Sequence, residues 1–110
     1  HNKEALSYII EEIEHQKFNE LYLVLGFVQG KEVEPILELF PKGNFIFTSP
    51  NVPRALPLDE LKDICNRLDI DGEFIPNVNE AIALAESRAK YSDMIYIGGS
   101  TFVVAEIENL

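Results

Sequence analysis

A doubly wound, three-layer α/β domain, with a mostly parallel sheet and helices on both faces, is the fold class this 110-residue sequence predicts. Two observations predict it. Near-continuous apolar runs, typical of strands covered on both faces, alternate with stretches whose apolar residues recur at helical spacing. The connections are short, and no low-complexity linker or internal repeat interrupts them. Such alternation produces a parallel sheet through right-handed crossovers. At 46% hydrophobic, residues 1–110 form one domain with enough apolar material for a core without disulfide or metal.

Taken in order, Leu6, Ile9, Ile10 and Ile13 predict a first helix, with Glu11, Glu12 and Glu14 toward water and Asn2 as its N-cap. "LYLVLGF" predicts a buried strand over Leu21–Phe27. Val33, Ile36, Leu37 and Phe40 restore the helical period, and Pro35 confines that helix's start to Lys31 or later. A strand over Asn44–Phe47 follows. Leu58, Leu61, Ile64, Cys65 and Leu68 predict a third helix, with Asp59 and Glu60 in the first turn favoured by its dipole. Glu73–Ile75 reads as a short strand. Asn77, with Glu80 three residues on, opens a fourth helix whose inner face is Ala81, Ala85 and Ala89. Met94–Ile97 is the last strand, and Ser100 caps a short closing helix.

The composition excludes whole classes of function. A formal charge of −10 leaves nothing to displace counterions from nucleic-acid phosphates. No apolar run approaches the ~18 residues that cross a membrane, and no signal peptide is visible. The single cysteine, Cys65, fits a reducing, cytoplasmic setting and reads as a small buried hydrophobe on a helix face. No His, Cys or acidic cluster has metal-ligand spacing, and no Ser-His-Asp or Cys-His set is suggested.

In a doubly wound sheet, ligands bind beyond the carboxyl ends of the strands. Four stretches fall there: Gly26 to Lys31, Thr48 to Ala55, Pro76 to Asn79, and Gly98 to Ser100. "GFVQGKEV" is not a Walker loop, because its glycines lie too close together and Glu32 stands where Ser or Thr would hold magnesium. Lys31 either offers a positive charge to a ligand or is solvated at a helix N-terminus. Arg54 is the sharper candidate. Pro50 and Pro53 stiffen its loop, so its guanidinium can meet a carboxylate or phosphate with little loss of entropy. The competing reading is a structural salt bridge to one of the chain's 19 acidic residues. His15 reads as solvated, whereas His1 precedes a helix N-terminus, where free N–H groups stabilise anions.

Taken together, "HN" opening a helix, "LVLG…GKEVEPIL", "TSPNVPRAL", "NEAIALA" and "IYIGGSTFVVAEI" resemble the C-terminal domain of folylpolyglutamate synthase/dihydrofolate synthase, a branch of the Mur ligase family. The resemblance covers essentially the whole chain, in order. It implies a Rossmann-like third domain of a longer, three-domain enzyme. In that family ATP, as its Mg2+ complex, phosphorylates a pteroate or folate carboxylate, and L-glutamate's amine attacks the acyl phosphate. The nucleotide lies between the central and C-terminal domains. The resemblance assigns His1 a catalytic role and gives Asn2, Lys31, Arg54 and Ser100 to substrate and ATP binding. Magnesium would be held mainly by the other domains.

The match is incomplete in two places. Of the family's D-x-x-H-N-P signature only His1 and Asn2 are present, with Lys3 in the proline position and the aspartate expected upstream. The family's "DKD" reads Gly30-Lys31-Glu32, which loses the first acid. Two other readings stand beside this one. They are the C-terminal domain of a peptidoglycan Mur ligase acting on a UDP-muramyl substrate, and a non-catalytic binding module on the same sheet.

Overall fold

The computed structural model describes residues 3–30 and 32–108. Its elements alternate as the sequence predicts: α1 (Lys3–Glu14), β1 (Leu21–Gly26), α2 (Val33–Leu39), β2 (Asn44–Phe47), α3 (Leu58–Leu68), β3 (Gly72–Phe74), α4 (Val78–Arg88), β4 (Met94–Gly99) and α5 (Thr101–Ala105). The strands form one sheet in the order β3-β2-β1-β4, and every pairing is parallel.

Two apolar layers sandwich this sheet. On one face α1, α2 and α3 bury Leu6, Ile10, Leu37 and Leu61 against Leu23 and Phe47. On the other, α4 and α5 bury Val78, Ala81, Ala85 and Val103 against Val24 and Ile46. Crossover handedness explains the division. The chain steps outward from β1 to β2 to β3, which puts α2 and α3 on one face. It then returns across the sheet to β4, so a right-handed α4 must cover the other.

Sequence and structure differ at several boundaries. β1 stops at Gly26 rather than Phe27, and β3 spans Gly72–Phe74 rather than Glu73–Ile75. β4 continues through Gly98 and Gly99, which pair in register with Leu25 and Gly26. Glycine is a poor strand former, so pattern alone ends that strand at Ile97; a close approach of backbones holds these two in the ladder. Ala89 is not part of the inner face of α4. It caps the helix in extended geometry and is half-buried, and Val78 and Ile82 join Ala81 and Ala85 in that face instead. Asn2, the expected N-cap of α1, lies outside the described residues.

Asn77 does cap α4. Its side chain accepts from the Glu80 N–H at 2.9 Å. Asn77→Ala should therefore cost about 1 kcal/mol of stability, measured by denaturant unfolding. Cys65 is buried in the core cluster, and burial pushes its thiol up to about 11. The thiolate is the reactive form, so at neutral pH Cys65 should resist a thiol reagent while the domain is folded and react promptly once it is denatured. Prompt reaction of the native chain would show that the α3 face opens readily.

Candidate functional site

The strand order reverses between β1 and β4, because the crossovers leave β1 in one direction and return to its other side. Helices diverge from the sheet at such a point and leave a crevice outside the carboxyl ends of the two strands. A cavity of about 220 Å³ lies there, lined by Phe27, Val28, Arg54, Gly99, Ser100 and Phe102, among others.

Two glycines make the crevice possible. Gly99 has φ +91°, and a Cβ on it would lie 2.4 Å from the Gly26 carbonyl oxygen. A Cβ on Gly26 would in turn lie 2.8 Å from the Thr48 carbonyl oxygen and 2.9 Å from Val103. Removing both side chains lets β1, β4, the loop after β2 and α5 converge on one point.

Arg54 reaches this crevice from the proline-stiffened loop after β2, and that loop is clasped to the one after β1. Val28 and Ala55 form an isolated antiparallel bridge. Gln29 N–H donates to the Arg54 carbonyl at 2.7 Å, and Leu56 N–H donates to the Phe27 carbonyl at 2.8 Å. The Arg54 guanidinium donates to the Gln29 carbonyl at 2.9 Å. Among the described residues the ion pairs are Arg67–Glu34 and Arg88–Glu73, and neither involves Arg54. A single carbonyl satisfies few of a guanidinium's five donors, so most of its fork remains available to an anion.

Gly30 belongs to the same clasp. Its φ is +85°, and a Cβ there would sit 3.1 Å from the Arg54 guanidinium. That gives a physical account of glycine at the position where the resembling family carries its first aspartate.

Thr48 and the chain after α5 complete the rim. The fully buried Thr48 hydroxyl donates to the Pro76 carbonyl at 3.3 Å. Glu106 accepts from the Asn51 N–H, and Asn79 donates to the Glu106 carbonyl at 3.0 Å. The loops after β1, β2 and β3 and the chain after α5 are thus joined through named hydrogen bonds.

Of the residues singled out from sequence, the structure brings together Arg54 and Ser100. Both line the crevice. Ser100 is buried, and its hydroxyl accepts from the Phe102 N–H at 3.1 Å as the N-cap of α5. His1, Asn2 and Lys31 lie outside the described residues. His15 is exposed, with Nδ1 2.8 Å from the Glu11 carbonyl oxygen, far in sequence and fold from this rim. Sequence reasoning missed Gln29 and Phe102. Gln29 looks like an ordinary turn residue, and Phe102 looks like helix core; yet Phe102 is 48% exposed at the mouth of the crevice. Among the described residues, no three His, Cys, Asp or Glu side chains are grouped to hold a metal ion. Nor is any helix among them long and apolar enough to cross a membrane.

The family model for the Mur ligase, glutamate ligase domain matches residues 1–101. The chain belongs to that family. Solved structures share the fold of this Mur ligase domain. One is FolC of E. coli in complex with ADP, at 21% identity and a TM-score of 0.81, covering 96% of this chain and 25% of that one. A second is a bifunctional folylpolyglutamate synthase/dihydrofolate synthase with Mn, AMPPNP and L-glutamate bound, at 19% identity and a TM-score of 0.83, with coverage of 96% and 25%. A third is folylpolyglutamate synthase of Thermotoga maritima, at 25% identity and a TM-score of 0.75, with coverage of 94% and 24%. The domain therefore spans about a quarter of the length of these proteins. No curated protein sequence matches it.

Proposed function

We propose that residues 1–110 are the C-terminal domain of a longer cytoplasmic ligase that adds L-glutamate to dihydropteroate, to folates, or to both, at the expense of ATP. The observation that carries this reading is the crevice at the strand-order reversal, lined by Arg54 and Ser100, in a chain of the glutamate ligase domain family. The folate branch is preferred to the peptidoglycan branch because the structural likenesses are folylpolyglutamate synthases.

In the proposed reaction, an oxygen of the pteroate or folate carboxylate attacks the γ-phosphorus of ATP. ADP leaves and an acyl phosphate remains. The glutamate amine then attacks the acyl carbon, phosphate departs with the bonding pair, and the nitrogen loses a proton to give the amide. Two carboxylates, a nucleotide and a transferring phosphoryl group meet in this sequence, so a fixed cation lowers the repulsion between them. Arg54 is that cation in this domain. Its fork matches carboxylate and phosphate geometry, and its loop is already ordered by the Gln29 clasp, so binding costs little further entropy. Ser100 holds the N-terminus of α5 in place beside it. His1, Asn2 and Lys31 are assigned to the same cleft by their match to the family motif.

Among the described residues no three His, Cys, Asp or Glu side chains are grouped to hold a metal ion; the magnesium that accompanies ATP is assigned mainly to the other domains by the family resemblance. A cavity of about 220 Å³ is below the ~300 Å³ at which ligand pockets usually begin. Together with the half-exposed Phe102 at its mouth, this supports a cleft completed by the central domain.

The test is an ATP-dependent ligation assay of the longer protein, with dihydropteroate and tetrahydrofolate supplied separately. Formation of ADP that depends on both L-glutamate and one of these acceptors is expected. Activity confined to a UDP-muramyl acceptor would move the domain to the peptidoglycan branch.

A further inference from the structure

Gly30 and Gly99 share a positive φ but need glycine for different reasons. At Gly99 the obstacle is backbone, since a Cβ would lie 2.4 Å from the Gly26 carbonyl oxygen. At Gly30 a Cβ would meet Nη2 of Arg54, the end of a flexible side chain, at 3.1 Å. A φ of +85° favours glycine, yet Asp and Asn are the side chains that enter positive φ most readily. An acid could therefore stand here at modest cost to the fold. Its carboxylate would lie directly beside the guanidinium.

The surroundings keep acids away from that spot. Of the chain's three arginines, Arg67 is paired with Glu34 and Arg88 with Glu73. Arg54 instead donates to a neutral group, the Gln29 carbonyl. Among the described residues no acidic side chain lines its crevice, although the sequence carries 19 acids. The acids gather next door. A neighbouring cavity of about 720 Å³ is lined by Glu32, Glu34, Glu38 and Glu60, and Gly30 lines it too. Gly30 thus forms the boundary between an acidic wall and the Arg54 cation.

We infer that Gly30 is a specificity-determining residue of the site. Its missing side chain leaves the Arg54 charge for the ligand to neutralise, so the crevice selects an anionic group, carboxylate or phosphoryl, over a neutral one of the same shape. Two effects give the selection. A side-chain carboxylate at position 30 would take up the donors that an incoming anion needs. It would also repel that anion at close range, and repulsion between like charges grows as a cleft closes and water leaves. The inference rests on the proposed reading that substrate anions meet at Arg54. Glycine at this position acts through Arg54 and is not itself a catalytic residue.

Gly30→Asp and Gly30→Asn test it, because the two side chains share one shape and differ in charge. On the 110-residue chain, nuclear magnetic resonance of the Arg54 side-chain N–H groups follows titration with inorganic phosphate and, separately, with L-glutamate. Signals of the unsubstituted chain and the Asn variant should shift at millimolar or higher concentration, and the Asp variant should need at least about fivefold more of the same anion. In the longer protein, KM for L-glutamate or for ATP should rise about tenfold or more from Asn to Asp while kcat changes little, as loss of ground-state binding does. A rise for L-glutamate places a carboxylate on the fork, and a rise for ATP a phosphoryl group. Asp and Asn variants that respond alike would overturn the inference and leave Gly30 a purely steric role. So would Arg54 signals that neither anion moves in the unsubstituted chain, a result that needs no variant to fold. A longer protein that does not ligate glutamate sinks the enzymatic reading while the anion titration still stands; a working ligase with one KM for both variants sinks the inference alone.

Discussion

Gly99→Ala should destabilise the domain by roughly 3–5 kcal/mol, among the larger effects a single substitution produces. Two costs combine. The residue would have to hold φ +91°, a conformation that L side chains rarely adopt, and its Cβ would lie 2.4 Å from the Gly26 carbonyl oxygen. Neither backbone can retreat easily, because Gly99 and Gly26 are register partners between β4 and β1. Thermal unfolding followed by circular dichroism should show the midpoint falling by more than about 10 °C. Gly30→Ala provides the contrast. It shares the positive φ, but its Cβ meets only the end of the Arg54 side chain, at 3.1 Å, so its cost should stay near 1–2 kcal/mol. If the two variants melt together, the strand ends are more adaptable than the ladder suggests.

The second large effect concerns activity. In the longer protein, Arg54→Ala should lower the glutamate-ligation rate by roughly 10²-fold or more, as loss of a charge-assisted contact in a preorganised site does. Arg54→Lys should recover only part of this, since an ammonium cannot reproduce the planar fork. Stability should fall by no more than about 1 kcal/mol, because the exposed side chain makes a single hydrogen bond, to the Gln29 carbonyl. A variant that ligates normally would reduce Arg54 to a clasp between two loops.

Most of the fold was legible because burial on both faces of a parallel sheet writes itself into the chain as apolar runs. Leu21 to Leu25 and Asn44 to Phe47 announce their strands in this way, and Pro35, Asn77 and Ser100 announce helix starts by backbone chemistry. What stayed hidden was set by tertiary contact. Gly98 and Gly99 sit in β4 because Leu25 and Gly26 lie across from them, which no local preference reveals. α4 stops at Arg88 with no glycine to mark the end. The following turn is held by the Asp93 carboxylate, which accepts from Lys90 N–H at 2.7 Å and from Glu20 N–H at 3.1 Å.

The candidate site was legible in outline for a related reason. Two prolines ahead of an arginine, just past a strand, are a local signal. The Gln29 clasp and the exposure of Phe102 are not, because they join loops that are distant in sequence.

Half of an interdomain cleft binds weakly, since a ligand there keeps much of its surface in water and few groups converge on it. The proposed function makes this domain such a half. Calorimetric titration of ATP into the isolated 110-residue chain and into the longer protein compares the two directly. The isolated chain is expected to fold cooperatively with an ATP affinity no better than about millimolar, and the longer protein to bind markedly more tightly. Micromolar binding by the isolated chain would contradict it and identify a self-contained nucleotide-binding module.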